Sequence, residues 1–195
     1  EFERKTEKEL AQEKFGDIPL VEYKPSPNPY KNAYFGDLHV HTENSFDAYA
    51  FGTTASPTDA YKYAKGGAIK HPTGYQVQLS RPLDFYAVTD HGVFLGLMKE
   101  AADPNSEIGK YELTKPLHNL NENVSNSIIS IIRRANLFRP FAQELANNIQ
   151  DGTVDIKLLE KVSSDVWHKT IEAADQAYVP GSFTTFAAYE YSSSV

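Results

Sequence analysis

Three short apolar runs, each ending abruptly in imidazole or carboxylate side chains, limit what this chain can fold into more than any other feature. They are Asp37-Leu38-His39-Val40-His41, Phe85-Tyr86-Ala87-Val88-Thr89-Asp90-His91-Gly92 and Phe186-Ala187-Ala188-Tyr189-Glu190-Tyr191. Short segments rich in β-branched and aromatic residues, bounded by Gly, Pro or Ser, read as strands of a sheet covered on both faces. Side chains alternate across a strand, so Asp37, His39 and His41 are expected on one face and Leu38 and Val40 on the other. Two imidazoles at that spacing can share a cation. A lone His-x-His is a weak pattern, since histidines near strand ends are commonly hydrogen-bonded structural residues. Three strand ends furnished in the same way favour a metal site.

The 195 residues contain no cysteine, which excludes disulfides and thiolate ligands and leaves imidazole and carboxylate to hold any metal. Those donors suit zinc, manganese or iron without choosing among them. A net charge of −7 argues against a nucleic-acid-binding surface, which needs clustered Lys and Arg. A small anionic substrate stays compatible, because a metal cluster brings its own positive charge to a pocket. No apolar stretch approaches the roughly 18 residues of a membrane span, and no signal peptide opens the sequence. The expectation is a soluble protein without a membrane partner, cytoplasmic or periplasmic with a signal removed. An apolar content of 41% is enough for the core of one domain.

Residues 1–32 read as a charged, then Pro-rich lead-in, with Pro25, Pro27 and Pro29 at alternate positions, ahead of a domain over 33–195. Ser56-Pro57-Thr58-Asp59 combines an N-cap, a proline at the first helical position and an acidic first turn, which predicts a helix over about 57–65 stopped by Gly66-Gly67. Residues 74–81 read as loop with at most a short strand. From Leu120 the spacing turns helical through Val124, Ile128, Ile131, Ile132 and Ala135, until Pro140 breaks it. A second helix is expected there, carrying Phe141, Ala142, Leu145, Ala146 and Ile149 to Asp151-Gly152. A third follows with Leu158, Leu159, Val162, Val166, Ile171 and Ala174, closed by Pro180-Gly181. Asn123-Val124-Ser125 matches a glycosylation acceptor, a pattern too short to weigh inside a helical stripe. Strand, helix, strand, helices, strand is the alternation of an α/β fold with parallel strands.

Gly36-Asp37-Leu38-His39-Val40-His41-Thr42 with Ser45-Phe46-Asp47-Ala48, then Ala87-Val88-Thr89-Asp90-His91, then Phe186-Ala187-Ala188-Tyr189-Glu190 resemble three successive motifs of the polymerase-and-histidinol-phosphatase (PHP) superfamily of metal-dependent phosphoesterases. The resemblance runs from Tyr34 to the last residue. In finer wording, Tyr34-Phe35-Gly36, Arg81-Pro82-Leu83-Asp84-Phe85 and Pro180-Gly181-Ser182-Phe183-Thr184 resemble one poorly characterised bacterial branch, a domain of unknown function. The resemblance implies part of a distorted, TIM-like (β/α)7 barrel with a helical insertion at about 120–178, and a site at the C-terminal ends of the strands. It implies two or three divalent ions held by His39, His41, Asp47, His91 and Glu190, the last as bridging carboxylate. The family pattern continues with later histidines and an Asp-x-His, so the chain is expected to be the N-terminal portion of a longer protein whose C-terminal part completes the barrel.

Asp37, Asp90 and Arg81 are the further residues assigned to catalysis. The two carboxylates flank ligands, where they either orient imidazoles or cap strand ends. Arg81 has a fork that can clamp a phosphate, or it pairs with Asp84. Ser45 has no base beside it on its own element and reads as a turn residue rather than a nucleophile. His71 and His118 read as loop residues, and His168 as packing beside Trp167. The expected activity is hydrolysis of a small phosphate ester by a metal-activated water. An amidohydrolase-like enzyme cleaving C–N bonds stays open, although no Lys stands at a motif strand end to serve as a carbamylated ligand. A non-catalytic metal-binding or structural module also stays open, as does an inactive half-site formed by this chain alone.

Overall fold

The protein is described by a computed structural model that covers residues 31–192 except 123, 125 and 126. The charged and Pro-rich residues 1–30, the Asn123 and Ser125 of the glycosylation pattern, and the side chains of Ile128, Ile131 and Ala135 lie outside the described residues.

A three-stranded parallel sheet in the order β1-β4-β5 organises the fold, from β1 (Gly36–Asp37), β4 (Phe85–Val88) and β5 (Thr184–Ala187). Gly36 pairs with Phe85, and Phe85 with Thr184, so one register aligns the three C-terminal ends. A side chain at Gly36 would stand 2.2 Å from the Phe85 carbonyl oxygen, which is why glycine opens β1. Between β1 and β4 come α1 (Phe46–Phe51), α2 (Pro57–Ala64) and a small antiparallel hairpin of β2 (Ile69–Lys70) and β3 (Gln76–Val77). Between β4 and β5 come α3 (Leu97–Ala102), a 3-10 helix (Glu112–Leu117), and two long helices, α4 (Ile128–Gln150) and α5 (Ile156–Ala177). The result is mixed α/β with a small parallel sheet that does not close into a barrel among the described residues.

Helix α2 forms for the reasons its sequence carries. Ser56 and Asp59 make a reciprocal capping box, Pro57 occupies the first turn, and Gly66 leaves the helix with a positive φ of 79°. The expected break at Pro140 does not occur, since α4 runs unbroken from Ile128 to Gln150. A proline costs a helix one backbone hydrogen bond. Leu137, Phe138, Phe141, Leu145 and Ile149, on both sides of it, pack against one core and keep the two halves in line. The buried face also differs from expectation, because Ile132 is exposed while Arg134 is buried. The Arg134 guanidinium donates to the carbonyls of Ala50 (2.9 Å) and Leu120 (2.6 Å) and also bonds Asn121, clamping α4 onto the end of α1.

Two cores result. One gathers α1, α3, the 3-10 helix, α4 and the first half of α5 around Met98, Leu117, Phe141 and Leu145. The other seats Ala60, Tyr61 and Ala64 of α2 and Ala173, Ala174 and Ala177 of α5 against Tyr86 and Val88 of β4. No helix among the described residues is long and apolar enough to cross a membrane.

Candidate metal centre

The first motif leaves its strand earlier than alternation predicts. Regular pairing stops at Asp37, whose carboxylate accepts the backbone N–H of His39 at 2.9 Å and bends the chain at Leu38. Val40 then rejoins its neighbour, its carbonyl accepting the Thr89 N–H at 2.7 Å and its own N–H donating to the Thr89 hydroxyl at 2.8 Å. The loop is latched again at Thr42, whose N–H and hydroxyl both donate to the buried Asp90 carboxylate. Asp37 and Asp90 therefore hold backbone N–H groups and, for Asp90, a threonine hydroxyl, the second of the two roles open to them in the sequence.

These latches bring the two imidazoles of the first motif to one acceptor. Nε2 of His39 lies 2.9 Å, and Nε2 of His41 2.8 Å, from the same Glu190 oxygen, Oε2. Glu190 reaches them because the β4–β5 pairing continues past the strands: its N–H donates to the Asp90 carbonyl, its carbonyl accepts the Gly92 N–H, and Glu190 bridges to His91 in parallel register. Asp47 sits in the first turn of α1, its carboxylate oxygens 3.1 and 3.2 Å from Nδ1 of His41. Nε2 of His91 lies 3.5 Å from Asp47 and its Nδ1 3.6 Å from Glu190. The His91 ring is held flat against Phe46, centroids 4.6 Å apart, and Phe46 in turn stacks on Phe138 of α4 at 4.3 Å.

All five residues expected as ligands thus converge. They form two overlapping groups, His39–His41–Glu190 and His41–Asp47–His91, whose donor atoms lie within 4.8 Å of one another in each group. Burial alone would push the His41 imidazole toward its neutral form, but Asp47 and Glu190 outweigh it and raise its pKa. Burial likewise opposes ionisation of Asp47 and Glu190, yet the Ser45 hydroxyl and His41 for the one, and the three histidines for the other, hold both pKa values below the ordinary range. Asp90 goes the other way, its pKa raised by burial against the pull of its two bonds from Thr42.

The donor set fits a divalent cation. His41 faces a carboxylate on each ring nitrogen, an arrangement that a neutral imidazole, with one N–H and one lone pair, leaves mismatched. A second proton satisfies it, and so does a cation. With two carboxylates and three imidazoles, and no sulfur, the set is of the kind that zinc, manganese and iron accept.

Arg81 does not belong to this centre. It precedes β4, so it lies at the opposite end of the parallel strands, where its guanidinium covers the Phe35 ring at 5.3 Å. His71 stacks on Tyr75, His118 bonds the Gly109 carbonyl, and His168 bonds the Ser164 carbonyl of its own helix. Sequence reasoning undervalued Ser45. It is fully buried, and its hydroxyl lies 2.6 Å from Asp47, 3.1 Å from Nδ1 of His41 and 3.2 Å from the His91 N–H. Ser45 stands at the N-cap of α1, but its hydroxyl makes no cap bond and turns to the Asp47 carboxylate instead. Nothing local marked Phe138, or Ser192, whose hydroxyl lies 2.6 Å from Nδ1 of His91.

No curated protein and no solved structure matches the chain. A family model described as a protein of unknown function, DUF3604, matches residues 28–195, and the chain belongs to that family.

Proposed function

We propose that this chain carries the metal centre of a metal-dependent hydrolase of the PHP type, acting on a small phosphate ester. The observation that carries the reading is the convergence of His39, His41, Asp47, His91 and Glu190 beyond the C-terminal ends of three parallel strands. Ligands gathered from several strand ends are the construction of barrel active sites. The five would hold two or three divalent ions, with Glu190 placed to bridge because its two oxygens face different histidines. In this reading further strands of a (β/α)7 barrel add beyond β5, an edge strand here whose Thr184, Phe186 and Ala187 are exposed.

Bound there, divalent cations supply Lewis acidity, lowering the pKa of a coordinated water and offsetting phosphoryl charge. The chain's own groups do the positioning. The Thr42–Asp90 latch and the Val40–Thr89 bonds fix the segment carrying His39 and His41, while Phe46 fixes the plane of His91. The ion pairs joining the five are all between histidine and carboxylate, so attraction of an anionic substrate falls to the cations rather than to the side chains.

Elemental mass spectrometry after loading with zinc, manganese or iron tests the centre, and hydrolysis of a panel of phosphomonoesters and phosphodiesters tests the chemistry. His41→Ala is expected to remove bound metal and turnover together while leaving the far-ultraviolet circular dichroism unchanged. Turnover that survives in a metal-free His41→Ala protein, or a wild-type chain that takes up no metal, refutes the reading.

A further inference from the structure

We infer that Ser45 and Asp47 form a positioning pair that holds His41 with its proton on Nδ1, so that Nε2 is the atom His41 offers to a cation alongside His39 and Glu190. The inference rests on the metal-centre reading and adds which of the two overlapping groups His41 serves.

One hydroxyl proton decides the arrangement. The Ser45 hydroxyl has a single hydrogen and two partners that could take it, Asp47 Oδ1 at 2.6 Å and His41 Nδ1 at 3.1 Å. A hydroxyl bonded to a carboxylate is expected at about 2.5–2.7 Å and is roughly twice as strong as a neutral bond, so the proton goes to Asp47. Ser45 Oγ is then an acceptor only. It takes the His91 N–H at 3.2 Å and presents its other lone pair to His41. Around Nδ1 of His41 there are now three acceptors and no donor: Ser45 Oγ at 3.1 Å and the two Asp47 oxygens at 3.1 and 3.2 Å. A lone pair on Nδ1 would be repelled by all three, whereas an N–H is shared among them.

At the other ring nitrogen the balance differs. Nε2 meets one acceptor, Glu190 Oε2, and Nε2 of His39 lies within bonding distance of that same oxygen. With the His39 proton on Nε2, Glu190 is satisfied without the His41 proton. A carboxylate behind a ligating imidazole, fixing its tautomer through the far nitrogen, is a recurrent device in metal sites. Asp47 Oδ1 is fully engaged, since it also accepts the Ala48 N–H at 2.7 Å. Only Oδ2, on the side of His91, is left for any second cation. Ser45 is thus a positioning residue, acting through Asp47 and His41 from a fully buried place.

Long-range proton–nitrogen correlation spectra of the histidine rings, recorded on the metal-free protein at alkaline pH where His41 is neutral, read the tautomer directly. The expected result is a proton on Nδ1 of His41 in the wild type, a smaller Nδ1–H population in Ser45→Ala, where only the two Asp47 oxygens remain, and zinc affinity about 10-fold weaker in that variant. A proton on Nε2 in the wild type overturns the inference, and this spectrum needs no variant to fold. An unchanged tautomer in a folded Ser45→Ala protein overturns the role of Ser45. The two readings fail separately: an Nδ1–H His41 in a chain that binds no zinc sinks the hydrolase and keeps the pair, while zinc binding with an Nε2–H ring does the reverse.

Discussion

Replacing Arg134 with methionine tests whether the long helices support the candidate centre or merely lie beside it. Arg134 is 5% exposed, and none of its partners among the described residues is a carboxylate. It is spent on backbone carbonyls at the end of α1, Ala50 at 2.9 Å and Tyr49 at 3.4 Å, and on Leu120 at 2.6 Å. Hydrogen bonds from a charged donor contribute about 1.5–3 kcal/mol each, and two of these have full-strength length. Methionine fills similar volume and relieves the desolvation of a buried cation, so the net loss is expected at about 2–4 kcal/mol. For a domain of this size that is a fall of roughly 5–15 °C in Tm, read by thermal unfolding of the metal-free protein. Because α1 carries Phe46 and Asp47, zinc affinity should weaken in the same variant even where it is fully folded. A loss under about 1 kcal/mol with unchanged zinc affinity would mean that water replaces the guanidinium at those carbonyls and that α4 does not brace the site.

Phe138→Ala removes the ring stacked on Phe46 and is expected to cost about 3–5 kcal/mol as a core truncation, with His91 ring resonances broadened or shifted as Phe46 loosens; sharp, unmoved His91 signals would contradict the stack. The stability of the metal-free protein should peak in mildly acidic solution. His41, with its folded pKa raised, stabilises below its unfolded pKa and loses that contribution as pH rises through the folded value. Asp47 and Glu190, with folded pKa values depressed, stabilise above their unfolded values and lose that contribution as pH falls through the folded ones. Asp90, raised by burial, stabilises at low pH and so softens the fall on the acid side of the peak. Denaturant titrations in chelator across the pH range check this, and stability rising steadily from acid to alkaline conditions would be the wrong result.

The candidate centre was legible in the sequence because the side chains that could hold a metal are anchored by register. Once β1, β4 and β5 are parallel and aligned, the polar ends of the three runs must meet, and the pairing of His91 with Glu190 is the direct continuation of Val88 with Ala187. What alternation got wrong was Asp37, since a local carboxylate-to-amide bond competes with the ladder and wins at the last paired residue. Helices α1 and α3, six residues each, carry too few turns for a periodic signal. Pro140 misled for the opposite reason: a shared core on both flanks outweighed a local penalty that is all the sequence displays. Arg81 was misplaced because a residue before a strand and one after it look alike in sequence but lie at opposite ends of the sheet.

Metal binding itself is coupled to the electrostatics of His41. Facing Asp47 and Glu190, the ring keeps a second proton at pH values where an isolated imidazole has lost it. A cation that takes Nε2 must displace that proton, so binding should release protons at pH values below the raised pKa, and affinity should fall as pH drops through it. Since Asp47 and Ser45 surround Nδ1 with acceptors, the proton lost is the one shared with Glu190, and Glu190 exchanges a hydrogen bond for a ligand bond in the same event. Calorimetric titration with zinc in two buffers of different ionisation enthalpy counts the protons. Equal heats in both buffers, with affinity flat across the neutral range, would show that His41 is already neutral before the metal arrives, and would leave the paired carboxylates without the role that their geometry gives them.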